Sequence, residues 1–226
     1  MSARILVVAS VKGGVGKTTL SAAAAATLAR RGYNVLAIDA DRQGTLAQWG
    51  AMAPPDVPFP ATVMHVADAG AKLRQRIAPE VANYDFVVID CPPSMEQAST
   101  HSALLVADAC VIPSQATPAD LWATTTMGQL VHRAKQVNRD LRAFTVINRW
   151  TPRRSLARQI VEVMQEEGGL ALLDPKLGNR VSFQDAAVQG SVPAAMVPPT
   201  ERLQARSTRC WTSYSCGWSG SDGAGH

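Results

Sequence analysis

The 226-residue chain has no uninterrupted run of eighteen apolar residues, so no membrane-crossing helix is expected. No signal-peptide cleavage site follows the apolar start, and a cytoplasmic protein is the expectation. Cysteine is scarce: Cys91, Cys110, Cys210 and Cys216 make no CxxC pair, which predicts reduced thiols and argues against a zinc or iron–sulfur site within one chain. Lysine is scarce too, at five of the 22 basic residues, with a net charge of +4. Basicity carried by arginine suits phosphate recognition. No internal repeat is evident.

What is present is alternation. "RILVVAS" (4–10) is a short apolar run ending in a glycine loop, and "TTLSAAAAATLARRG" continues with strong helix formers until Gly32 supplies a C-cap. "NVLAID" (34–39), "DFVVID" (85–90), "ACVIPS" (109–114) and "AFTVIN" (143–148) repeat the continuous apolar run ending in polar residues that marks strands buried on both faces. Helical stretches separate them: "EQASTHSALLVA", "PADLWATTTMGQLVHRAKQVN" and "SLARQIVEVMQEEGG". The four prolines of 51–60 predict a loop, and "TVMHV" (62–66) reads as an additional strand. The fold expected is α/β, a doubly wound, mostly parallel sheet flanked by helices, in one domain over residues 1–206. Residues 207–226 show neither helix nor strand period and are read as an atypical, poorly ordered tail.

The chemistry starts at "KGGVGKTT", Lys12 to Thr19. Gly13, Gly14 and Gly16, with Val15 between them, let successive backbone N–H groups turn toward an anion, and a helix beginning near Lys17 adds its dipole there. By the general phosphate-loop pattern Lys17 reaches the β- and γ-phosphates and the Thr18 hydroxyl ligates Mg²⁺, while Thr19 offers a further hydroxyl and N–H. The strict pattern has glycine six residues before the lysine, where this chain has Val11. With its additional lysine the stretch resembles the deviant Walker A motif of the ParA/MinD family. That resemblance implies a P-loop ATPase using ATP and Mg²⁺, in which Lys12 crosses a dimer interface to the nucleotide of the other subunit.

"LAIDADRQGTLAQW" resembles the family's switch I and "FVVIDCPPS" its Walker B segment. Carboxylates at strand C-termini face the same crevice as the phosphate loop. The resemblance implies that Asp41 activates or positions the attacking water, that Asp39 supports the Mg²⁺ shell, and that Asp90 acts on Mg²⁺ through water. Lys12, Lys17 and Mg²⁺ then neutralise the charge that develops in phosphoryl transfer. Arg42 stands where the family usually has proline. Asn148 and Arg149 match a segment that approaches adenine in relatives. Cys91 beside Asp90 brings to mind the nitrogenase iron protein, but Cys110 falls inside a buried strand, so both thiols are read as small core hydrophobes.

In this family the dimer attaches either to DNA or to membrane. "NRWTPRRSLARQ" gathers Arg149, Arg153, Arg154 and Arg158, with Lys176 and Arg180 further on, a patch suited to sequence-independent phosphate contacts. A basic amphipathic helix at the chain's end, as membrane attachment needs, is not evident. The resemblance therefore favours a nucleoid-associated, ParA-type homodimer. Its hydrolysis would be stimulated by a cargo adaptor with a flexible basic segment, the cargo being a plasmid or chromosomal locus or a protein assembly such as a carboxysome. The alternatives are a MinD-like membrane-associated regulator of division and an ATP-dependent metabolic ligase.

Overall fold

The computed structural model describes residues 3–93, 98–151, 155–167, 170–174 and 176–178. Seven strands form one sheet: β1 (Arg4–Val8), β2 (Val35–Asp39), β3 (Thr62–His65), β4 (Phe86–Asp90), β5 (Ala109–Ser114), β6 (Arg142–Ile147) and β7 (Ala171–Leu173). Their order is β3-β2-β4-β1-β5-β6-β7, and every pairing is parallel. The helices are α1 (Lys17–Arg30), α2 (Thr45–Ala51), α3 (Leu73–Val81), α4 (Ala98–Leu104), α5 (Pro118–Lys135) and α6 (Ser155–Glu167), with a 3₁₀ turn over Ala67–Lys72 before α3. All six expected strands are present, with ends within a residue of those expected except in β1, which stops at Val8, two residues before Ser10.

Alternate strand residues supply two cores, as the period of a strand requires. Ile5, Val7, Leu36, Ile38, Val87, Ile89 and Ile112 meet Leu73 and Ile77 of α3, Leu104 of α4 and Met127, Leu130 and Val131 of α5. Leu6, Val8, Val35, Ala37, Val88 and Val111 meet Leu46 and Trp49 of α2 and the alanines of α1. Ala22, Ala24, Ala25 and Ala26 are fully buried, so the small side chains of α1 bring its axis close to the sheet. A third cluster joins Ile147 to Ile160, Val161 and Met164 of α6.

Besides the short edge strand β7, two helices escaped the sequence reading. α3 holds Pro79 in its interior, which hid a helix that nonetheless buries Leu73 and Ile77. α2 begins inside the segment read only as switch I and ends at Ala51, two residues beyond it. The proposed tail, 207–226, lies outside the described residues.

Candidate functional site

β1 and β4 are central strands, and their C-terminal ends meet the glycine loop that leads into α1. Gly14 (φ 71°) and Gly16 (φ 98°) take the left-handed conformation that side chains resist. Gly16 is the N-cap of α1 and no side chain caps it, leaving first-turn N–H groups for an anion. The loop's carbonyls are held from outside: Asn148 Nδ2 donates to Val15 O at 2.8 Å, and Gln115 Nε2 makes a longer contact of 3.4 Å with Gly14 O. Lys17 Nζ donates to Lys12 O at 3.0 Å, within the same loop. Burial holds the Lys17 ammonium below its ordinary pKa, opposed by the charges of Asp90 and Asp41.

The carboxylates gather at neighbouring strand ends, since Asp39 and Asp90 are register partners across β2 and β4. Asp90 accepts from Ser21 Oγ at 3.0 Å. Burial pushes its pKa up to about 7, and Asp39 pushes the same way against hydrogen bonds from Thr18 and Ser21 and the charge of Lys17. Asp39 is fully buried and anchors the segment after β2, accepting from Asp41 N at 3.1 Å and Ala47 N at 2.9 Å. Asp41 closes an Asx turn through Gln43 N, 3.1 Å from its Oδ1.

This donor set fits Mg²⁺ held mainly by a nucleotide. Two adjacent buried carboxylates and a threonine hydroxyl are oxygen donors, and burial of Asp90 beside Asp39 raises its pKa, which a cation bound there would oppose. Mg²⁺ takes one or two protein oxygens and completes its shell with phosphate and water. The Thr18 hydroxyl, hydrogen-bonded to Asp90, would be the protein oxygen for it, with Asp90 behind. Among the described residues, no group of three or more His, Cys, Asp or Glu forms a metal cage by itself.

Lys12 does not turn toward its own loop. Its Nζ forms an ion pair with Asp120 Oδ2 at 2.7 Å; the Asp120 side chain is 1% exposed and that of Lys12 is 35% exposed. Asp120 sits in the first turn of α5, where Thr117 is the N-cap, accepting from Asp120 N, and Pro118 follows it. The Thr117 hydroxyl also donates to Asp120 Oδ2, while Asp120 Oδ1 is buried without a partner among the described residues. Sequence reading missed Asp120, because "TPAD" reads fully as a helix cap and nothing local points to a partner 108 residues away.

On the other flank, Asn148 Oδ1 accepts from Arg149 N at 2.9 Å, and Arg149 adopts a φ of 53°. Asn148 thus links the segment expected near adenine to the phosphate loop itself. Of the basic patch, Arg149 and Arg158 are exposed. Lys176 is engaged instead, 3.9 Å from Asp174 and 5.4 Å from the Trp150 ring centroid. Arg153, Arg154 and Arg180 lie outside the described residues. Cys91 and Cys110 are buried in one core, as small hydrophobes.

Residues 6–194 match the model of the CobQ/CobB/MinD/ParA nucleotide binding domain. The chain is 34% identical over 185 residues to the maintenance of carboxysome distribution protein A of Halothiobacillus neapolitanus, covering 82% of this chain and 84% of the relative. Its fold superposes on a Cyanothece McdA–ATP complex with a TM-score of 0.76 at 19% identity, covering 95% of this chain and 97% of the other. It also superposes on Mycobacterium smegmatis cobyrinic acid a,c-diamide synthase with bound ADP and magnesium, with a TM-score of 0.70 at 24% identity over 86% and 94% of the two chains. At those identities the two structures speak for the fold alone. By the family match, which spans most of its length, the chain belongs to the CobQ/CobB/MinD/ParA family of nucleotide-binding domains.

Proposed function

We propose that the chain is a ParA-type positioning ATPase. Two copies close around two ATP molecules, the closed dimer holds DNA without regard to sequence, and an adaptor on the cargo stimulates slow hydrolysis and releases it. The observation that carries this reading is the divergence of two lysines from one loop. Lys17 folds back onto the loop, whereas Lys12 is directed away from it to α5. A lysine directed away from its own glycines and still 35% exposed can reach the nucleotide of a second subunit by exchanging Asp120 for its phosphates.

In this scheme Lys17 and the N–H groups of residues 13–19 hold the phosphates. Thr18 would ligate Mg²⁺, with Asp39 and Asp90 supporting it through bound water, and Asp41 would orient the attacking water. Asn148 and Arg149 border the base. Arg149 and Arg158, with Arg153, Arg154 and Arg180, form the DNA-facing patch, doubled by dimerisation. Lys176, already engaged by Trp150 and Asp174, contributes less. The Halothiobacillus relative is named for carboxysome distribution, which favours a protein assembly over a DNA locus as the cargo.

The test is attachment. ATP-loaded Asp41→Ala protein is expected to retard non-specific duplex DNA at low salt, with log affinity falling linearly as log salt rises. Arg153→Glu with Arg154→Glu should lose the DNA and keep dimerisation. Sedimentation with anionic liposomes in place of DNA binding would carry the MinD-like reading and overturn this one.

A further inference from the structure

At the C-terminal edge of the sheet three residues stand in register: Asp90 on β4, Asp39 on β2 and His65 on β3. The first two are the acidic pair described above. The third belongs to the edge strand, and its imidazole Nε2 lies 2.9 Å from the carbonyl oxygen of Asp41. A carbonyl only accepts, so the nitrogen carries the proton and the ring donates.

The peptide groups flanking the Asp41 Cα are therefore tied to two neighbouring strand ends. Its N–H goes to Asp39 Oδ1 at 3.1 Å and its C=O receives His65. Gly44 N donates to the same carbonyl at 3.0 Å and closes the turn. Gly44 has a φ of 63°, and a Cβ there would come within 3.3 Å of His65 Cε1, so the turn also packs against the ring.

We propose that His65 is a positioning residue for ATP hydrolysis: by fixing the Asp41 peptide it sets where the Asp41 carboxylate meets the attacking water. The inference rests on the role given to Asp41 under the proposed function. A misplaced water-orienting group lowers the rate of the chemical step and leaves ground-state nucleotide binding unchanged.

His65→Leu fills the space without a donor, and His65→Gln places an amide N–H where Nε2 lies. Single-turnover hydrolysis of ATP with Mg²⁺ is measured for both, together with the Kd of a fluorescent ATP analogue and the Tm. Losing one neutral hydrogen bond at the positioning group predicts a roughly five-fold slower turnover for His65→Leu, with Kd unchanged and most of the rate recovered in His65→Gln. Wild-type turnover in His65→Leu overturns the inference, as does equal loss in both variants, which would make the ring a packing group only. Asp41→Ala separates the two levels. If it abolishes turnover while His65→Leu turns over at the wild-type rate, the His65 role alone falls; if it leaves turnover intact, the Asp41 reading falls and this one with it.

Discussion

Lys12 and Asp120, 108 residues apart, form an ion pair of 2.7 Å in which the aspartate is buried and the lysine reaches solvent. Removing the lysine strands a buried carboxylate, one oxygen of which already has no partner among the described residues. Lys12→Ala is therefore expected to lower the Tm by about 3–6 °C, and Asp120→Asn in the same chain to restore most of it. Thermal melts of the single and double variants check this, and a wild-type Tm for Lys12→Ala would show the pair to be idle.

The same double variant isolates the action between subunits. With its stability restored, Lys12→Ala/Asp120→Asn should still sediment as a monomer with ATP and Mg²⁺. ATP-dependent dimerisation in that variant would remove the assignment of Lys12 to the other subunit's nucleotide.

Gly16→Ala should abolish nucleotide binding. Its φ of 98° is strained for any side chain, and an added Cβ would overlap the Asn148 amide that holds Val15 O. Asn148→Ala frees that space but loosens the loop, so titration with a fluorescent ATP analogue is expected to show a weakening of about ten-fold or less. Equal affinity of Gly16→Ala and wild type would mean that the loop rearranges before it binds.

Asp90, with a pKa near 7 in the fold against an ordinary value of 3.8, binds its proton more tightly folded than unfolded. Its contribution is thus least unfavourable at low pH and becomes destabilising as pH rises from about 4 through 7, by at most about 1.4 kcal/mol per pH unit. In EDTA and without nucleotide, the stability of Asp90→Asn relative to wild type should increase over that window in urea titrations. Parallel curves would contradict the shift.

Burial, helped by the charge of Asp90, pushes the Cys91 thiol up to about 12, and burial also raises Cys110. At pH 8 neither carries appreciable thiolate. In a Cys210→Ser/Cys216→Ser background, iodoacetamide should leave the native protein unmodified and label both thiols in urea, as read by intact mass.

The sequence made most of the fold legible because strands buried on both faces write themselves as apolar runs, as at Phe86–Asp90, and parallel order needs the helices found between them. The loop from Lys12 to Thr19 was legible for the same local reason. Asp120 and His65 were not, because each acts on a group that sheet order, and not sequence proximity, brings near. Asn148 stood out only as a match to a segment near the base in relatives, and its bond to Val15 O depends on where β6 ends relative to β1. Lys176 was assigned by charge alone, and its neighbours Trp150 and Asp174 changed its meaning.

The outward carbonyls of the glycine loop are gripped from separate parts of the chain: Gln115 after β5 holds Gly14 and Asn148 after β6 holds Val15. The loop is therefore less a passive cup than a knot where several segments are tied. Moving either carbonyl would break a contact to the segment that leads to Asp120 or to the segment that follows β6, so the shape of the loop and the placing of those two segments are set together.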